Sequence, residues 1–288
     1  VKLALGTAQF GLPYGVANQV GQISAPAGAA IVTAARAHGV DTIDTAIAYG
    51  SSEAALGAIG MSGFRVVTKL PAMPADVSDP GAWVRGQLAA SRERLGVTSV
   101  YGVLLHAPAQ LLSASGPALY EALLQARHDA VVSKIGVSVY TPDDLTAVWP
   151  RFSFDLVQAP MNVLDRRLVT SGLLAALSTA GVECHVRSVF LQGLLVMAPA
   201  ERPRRFDRWA PTLKAYDAWV TATGASATAA CLSVALAQPG VHRVVVGIDT
   251  VEQAEELFSL GRAPLTLDLP DLGVVDPDLV NPARWPRT

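Results

Sequence analysis

Eight short apolar runs alternate with helix-sized patterns along this chain, and that alternation restricts the fold more than any other feature. The runs are Lys2–Gly6, Val40–Asp44, Arg65–Lys69, Val100–His106, Lys134–Ser138, Asp155–Gln158, Glu183–Ser188 and Arg243–Gly247. They are mostly continuous in Val, Ile and Leu, as expected of strands covered on both faces. Between them the spacing predicts helices over Pro26–Gly39, Ser51–Ile59, Pro80–Leu95, Pro117–Ala130, Thr141–Val148, Arg167–Ala180 and Glu252–Leu260, with two more over Pro211–Gly224 and Ser226–Ala237. Gly39, Gly96 and Gly181 fall where a helix C-terminus favours a left-handed residue. Thr141-Pro142-Asp143-Asp144 supplies a capping threonine, a proline at the first helical position and acids in the first turn. Eight β units separated by helices imply an α/β protein whose parallel strands close into a (β/α)8 TIM barrel. The alternative, an open doubly wound sheet, calls for a Gly-x-Gly-x-x-Gly turn after the first strand, which this chain lacks.

Composition agrees with one barrel domain over residues 1–288, since 51% of the residues are apolar. Three connections exceed the usual length: 106–116, 190–209 and the tail 262–288. The second carries Arg202, Arg204, Arg205 and Arg208, which suggests either a solvated loop or a lid over a phosphorylated cofactor or acidic substrate. A net charge of −2 with no basic run argues against a nucleic-acid partner. No apolar stretch reaches the roughly 20 residues of a membrane span. The opening residues show no signal-peptide pattern. Cys184 and Cys231 read as buried thiols, so a cytoplasmic protein is expected. His38, His106, His128, His185 and His242 show no metal-ligand spacing, and no metal site is expected. His185 alternates with Arg187 along one run, which would put both in the barrel interior, near substrate.

Three of the first four runs end on an ionisable residue: Asp44, Lys69 and His106. Tyr49 follows Asp44 by a short turn. Such groups at the end of a buried strand are costly without partners, and in a parallel barrel those ends meet on the face that carries chemistry. A strand-end Asp alone is usually a cap, and a lone His or Tyr is usually packing. Together they can move a proton to or from a substrate oxygen. Tyrosine holds its proton at neutral pH, a neighbouring Lys69 ammonium would lower its pKa, Asp44 would anchor the lysine, and His106 would orient the oxygen or relay the proton.

The segments Leu5-Gly6-Thr7-Ala8-Gln9-Phe10-Gly11, Ile43-Asp44-Thr45-Ala46-Ile47-Ala48-Tyr49-Gly50, Thr68-Lys69, Leu104-Leu105-His106-Ala107-Pro108 and Ile135-Gly136-Val137-Ser138 together resemble the aldo-keto reductases. The resemblance implies the barrel fold and an NAD(P)(H)-dependent oxidoreductase that transfers hydride between a nicotinamide and an aldehyde or ketone. It makes Tyr49 the general acid, Asp44 and Lys69 its tuners, and His106 the carbonyl-orienting residue. Gly6, Thr7, Ser138 and Gln158 would meet the cofactor, the last two at the carboxamide. Arg187 would lie near the nicotinamide, in the place of a stacking aromatic. Ser188, Phe190, Leu191, Gln192 and Gly193 match the pyrophosphate loop. Gly247, Ile248, Asp249, Thr250, Gln253 and Glu256 match the adenosine segment.

The resemblance implies NADP(H) as the first choice of cofactor, whereas Asp249 would repel a ribose phosphate and so admits NAD(H). The opening Gly-Thr-Ala-Gln-Phe-Gly-Leu-Pro-Tyr-Gly-Val-Ala-Asn resembles a bacterial branch associated with sugar and polysaccharide metabolism, in which Gln9, Phe10 and Tyr14, with Asn18, would stand at the mouth of the site and suit an oxo-sugar. Two other functions use the same residues: a barrel lyase with Lys69 as a Schiff-base nucleophile, and a non-catalytic nicotinamide-binding regulatory subunit. Residues alone leave the oligomeric state open.

Overall fold

The computed structural model describes residues 1–269, 271–274 and 276–285; positions 270, 275 and 286–288 of the expected tail lie outside the described residues. The strands are β1 (Leu3–Gly6), β2 (Thr42–Asp44), β3 (Arg65–Leu70), β4 (Val100–Leu105), β5 (Val132–Ser138), β6 (Leu156–Pro160), β7 (Glu183–Arg187) and β8 (Arg243–Gly247). They pair in sequence order, and β8 closes on β1 through parallel register such as Leu5 with Val246. This is the (β/α)8 TIM barrel. The eight expected strands all form, with ends moved by a residue or two. His106 falls one residue beyond β4, and Ser188 leaves β7 with a positive φ of 62°.

The helices are α1 (Ala25–Ala37), α2 (Ser52–Ile59), α3 (Pro80–Leu95), α4 (Gly116–His128), α5 (Pro142–Val148), α6 (Arg167–Thr170), α7 (Leu173–Thr179), α8 (Ala210–Thr223), α9 (Ala227–Ala237), α10 (Val251–Leu260) and α11 (Pro277–Val280). The Thr141 side chain and Asp144 form a reciprocal capping box on α5. One expected helix, Arg167–Ala180, is two helices, because Gly172 adopts φ +78° and interrupts the backbone ladder between α6 and α7. Helix α9 is apolar on every side because it is buried on nearly every side, from Ala229 to Leu236. Among the described residues no single helix is long and apolar enough to cross a membrane.

The main core lies between the strands and the helices, and a second small cluster of Val67, Leu104 and Leu156 sits apart from it. Polar groups pack beyond that cluster, toward the strand N-termini. Glu183 accepts hydrogen bonds from Tyr101 Oη at 2.7 Å and from Lys134 Nζ, and pairs with His185 Nε2 at 2.7 Å. His185 therefore shares a strand with Arg187 but not its surroundings. It is fully buried on Glu183, two residues below Arg187, and away from substrate, contrary to the sequence-based expectation.

The long connection 190–209 is docked, and two of its four arginines are held by carboxylates of other segments. Arg202 makes a two-pronged contact with Asp217 at 2.8 and 2.6 Å. Arg208 donates to Asp278 at 3.0 Å. Phe206 is buried against Trp285 of the tail, with ring centroids 4.8 Å apart. Arginines 202 and 208 thus fasten the connection to α8 and the tail.

Gly136 in β5 is required by close approach, since a Cβ there would fall 1.7 Å from the Leu156 carbonyl oxygen of β6. Gly136→Ala is expected to destabilise the barrel by about 3 kcal/mol through backbone displacement, measured as a lowered urea midpoint.

Candidate active site

Two loops must pack backbone to backbone before Tyr49 can be placed. A Cβ on Gly11 would lie 1.8 Å from the Tyr49 carbonyl oxygen. Gly50 has φ +56°, and a Cβ there would lie 2.4 Å from the Gly11 carbonyl oxygen. Only glycine fits either position. The joint is completed by Thr7, whose backbone N–H and Oγ1 both donate to the Asp44 carbonyl, at 3.0 and 2.9 Å. Ser52 Oγ donates to the Thr7 carbonyl at 2.8 Å.

Below Tyr49 lies a buried polar floor. Asp44 accepts from Lys69 Nζ at 2.6 Å on one oxygen and from Gln158 Nε2 at 2.6 Å on the other. Lys69 also donates to the Thr45 carbonyl at 2.9 Å, and Ser138 Oγ donates to Gln158 Oε1 at 3.3 Å. Lys69 and Gln158 have no solvent exposure. Ser138 and Gln158, expected at the nicotinamide carboxamide, are placed in this floor behind Asp44 and do not line the cleft above it.

Tyr49 and His106 stand on the floor, edge to face, with ring centroids 5.9 Å apart; Lys69 Nζ is 5.1 Å from the Tyr49 centroid. Among the described residues no protein group hydrogen-bonds the Tyr49 hydroxyl or the His106 ring nitrogens, and both side chains line a cleft of about 480 Å³. Burial and the Asp44 charge push the Tyr49 phenol above its ordinary pKa, with Arg187 pulling the other way. The net shift is opposite to the one expected from Lys69, because burial and the Asp44 charge dominate. Burial likewise depresses Lys69, against the pull of Asp44. His106 is lowered to about 4 by burial and by the charges of Lys69 and Arg187, with Asp44 opposing, so its ring is neutral at pH 7.

The cleft runs from Tyr49, His106 and Arg187 to Asp249, Gln253 and Glu256. Gly6, Thr7, Gln9, Tyr14, Ser188, Phe190, Gln192, Gly193 and Gly247 line it between. Besides Ser138 and Gln158, four expected contacts do not. Phe10 is a core residue, 2% exposed, with its ring where Gly28 leaves room, so it does not stand at the mouth. Leu191 and Ile248 point into the core while their chain neighbours face the cleft. Thr250 caps α10, its hydroxyl accepting from the Gln253 N–H at 3.2 Å. Tyr140 and Thr228 line the cleft and were missed. An aromatic two residues past the end of β5 was a readable signal for Tyr140. Nothing in the sequence marks Thr228, which reaches the cleft because α9 packs there.

The β1 loop crosses to the β7 and β8 loops. The Gln192 carbonyl accepts from the N–H groups of Val16 at 2.9 Å and Ala17 at 3.4 Å. Gln192 Nε2 donates to Tyr14 Oη at 3.2 Å, and Asn18 Nδ2 to Asp249 Oδ1 at 3.1 Å. Ser188, Leu191 and Gln192 all have positive φ, conformations that cost roughly 1 kcal/mol or more each for residues other than glycine. Asn162 Nδ2, donating to the Ser188 carbonyl at 3.0 Å, helps hold the turn.

Comparison with known proteins identifies the family. The model of the aldo/keto reductase family matches residues 2–268. The chain belongs to the aldo/keto reductase family. This aldo/keto reductase is an oxidoreductase, an NAD(P)H-dependent carbonyl reductase. No curated protein matches its sequence. Solved structures share its fold. Aldo-keto reductase AKR11C1 from Bacillus halodurans in its holo form superposes with a TM-score of 0.75 at 19% identity, over 92% of this chain and 88% of that one. PA4992 from Pseudomonas aeruginosa gives a TM-score of 0.68 at 19% identity, over 92% and 91%. The hydroxyls of Ser188 and Thr228 and the Gln192 amide line the cleft of this reductase, as do the carboxylates of Asp249 and Glu256.

The depressed pKa of His106 has a signed consequence for stability. Between about pH 4 and 6.5 the unfolded chain binds a proton at this histidine that the folded one does not, so the histidine's contribution to stability falls as pH falls through that window. His106→Gln removes that loss. The melting temperature of the variant is expected to decline less steeply than that of the wild type from pH 6.5 to pH 4.

Proposed function

We propose that this reductase transfers hydride between a dihydronicotinamide and an aldehyde or ketone, with Tyr49 as the acid that protonates the carbonyl oxygen. The observation that carries this is the pairing of two cleft-facing groups, the Tyr49 hydroxyl and the neutral His106 ring, each without a protein hydrogen-bond partner among the described residues, over the buried Asp44–Lys69 pair. The nicotinamide supplies the hydride when bound. As the carbonyl carbon accepts it, the C=O pair moves onto oxygen. Tyr49, kept protonated by burial, gives its proton to that oxygen and takes one from solvent afterwards. His106 donates a hydrogen bond that orients the oxygen. Lys69 and Arg187 lie near enough to stabilise the tyrosinate left behind. Alcohol oxidation uses the same groups in reverse.

A Schiff base at Lys69 finds no support, because its ammonium is fully buried and held by Asp44 and the Thr45 carbonyl. The oxo-sugar reading is weakened as well. Phe10 is in the core, and the Asn18 amide is engaged by the Tyr14 and Gly21 carbonyls and by Asp249. The buried thiols of Cys184 and Cys231 accord with the cytoplasm, where thiols stay reduced.

The cofactor preference turns on the far end of the cleft. Family resemblance favours NADP(H), yet the lining there carries Asp249 and Glu256, and the one arginine among the described lining residues, Arg187, is at the Tyr49 end. Burial raises the Asp249 pKa, and the Gln9 side chain holds it back. A carboxylate accepts from a free ribose hydroxyl and repels a phosphate, so NAD(H) is the better match.

Tyr49→Phe is expected to lower kcat for a simple aldehyde by about 10² to 10⁴-fold, with NADH affinity retained in a fluorescence titration. Unchanged turnover in the variant would remove Tyr49 from its role as the acid, whereas NADH binding with no turnover by the wild type would favour a nucleotide-binding subunit without catalysis. In the same titration, wild-type protein is expected to bind NADH more tightly than NADPH, and Asp249→Ser to improve NADPH relative to NADH by about tenfold. Tighter NADPH binding by the wild type would refute the electrostatic argument.

A further inference from the structure

Among the described residues Arg187 is the one arginine or lysine on the wall of the cleft, beside Tyr49 and His106. Its guanidinium lies over the Tyr140 ring, 4.4 Å from the centroid. One nitrogen donates to the Val139 carbonyl at 3.0 Å and another to Ser188 Oγ at 3.2 Å. These contacts set the plane of the fork and leave N–H donors over. Among the described residues no carboxylate lies within the 4.0 Å of an ion pair, although Arg167, Arg202, Arg208 and Arg243 each have one. Half-buried and without a counter-ion, such a guanidinium is a costly feature unless a ligand supplies the negative charge. Its planar donors match a carboxylate.

Two anions compete for it: the pyrophosphate of the dinucleotide and an acidic group on the substrate. Position favours the substrate. Arg187 lines the cleft together with Tyr49 and His106, and its charge lowers the pKa of both. We propose that Arg187 selects carbonyl substrates that carry a carboxylate, holding that group while Tyr49 and His106 receive the carbonyl oxygen. The inference rests on the reductase reading above and adds the substrate class to it.

The test compares 4-carboxybenzaldehyde with methyl 4-formylbenzoate, which differ in the charge and not in the carbonyl, using NADH and NADPH. Wild-type protein is expected to favour the acid in kcat/KM by about 30-fold. Arg187→Met should bring the ratio close to one by costing the acid far more than the ester, and Arg187→Lys should restore part of it. Calorimetry supplies a readout free of turnover: 4-(hydroxymethyl)benzoate should bind the NADH-loaded wild type, where no hydride can be transferred, more tightly than its methyl ester, and Arg187→Met should abolish the difference. Equal use of acid and ester by the wild type overturns the proposal and leaves the reductase reading standing. Arg187-dependent binding of the carboxylate without turnover of either aldehyde supports the carboxylate site and defeats the catalytic assignment. If Arg187→Met weakens NADH binding and affects acid and ester alike, the arginine serves the dinucleotide and the proposal falls.

Discussion

A fully buried ammonium held by a buried carboxylate organises the catalytic face of this barrel. Lys69 and Asp44 have left water, and each would be untenable alone: removing one partner of such a pair costs about 3–5 kcal/mol because the other charge is stranded. The pair endures because it is saturated. Asp44 accepts from Lys69 and Gln158, Lys69 donates also to Thr45, and the Asp44 carbonyl is taken by Thr7. This ties β1, β2, β3 and β6 together at their C-terminal ends. Tyr49 and His106 are thereby left as the unsaturated polar groups above a saturated floor, which is the condition for meeting a substrate.

The loops extend the same logic at higher cost. Gly11 and Gly50 allow two backbones to touch where side chains would collide, and Tyr49 is aimed by that contact. The β7 turn keeps three non-glycine residues at positive φ, held by Asn162 from one side and by the β1 loop from the other. Strain concentrated around a binding cleft, and compensated by neighbours, is the usual pattern of a functional site.

Charge is divided along the cleft. A cation and a neutral histidine stand at the reacting end, with carboxylates at the other. The barrel floor separates this from a second polar cluster, in which Glu183 gathers Tyr101, Lys134 and His185 near the strand N-termini. That cluster satisfies its own charges and has no part in the cleft.

The strand count, the helix ends at Gly39, Gly96 and Gly181, the barrel and the placing of Asp44, Tyr49, Lys69 and His106 were all legible in the sequence, because each depends on local pattern: apolar continuity, left-handed glycines, and ionisable residues where strands stop. Other features depend on which way a side chain turns once the chain is packed. Phe10 goes to the core because Gly28 leaves space opposite it; Leu191 and Ile248 do so because their neighbours take the cleft. Desolvation reversed the expected shift of Tyr49, since burial is a property of the assembled barrel and not of any segment. Helix α9 brought Thr228 to the cleft with no local sign. The sequence by itself determined the architecture and the candidate proton-transfer residues, through periodicity and residue type. Only the tertiary structure decided which groups face the cleft, which charges are paired and that Arg187 is not, because pairing and burial are made by contacts between residues far apart in the chain.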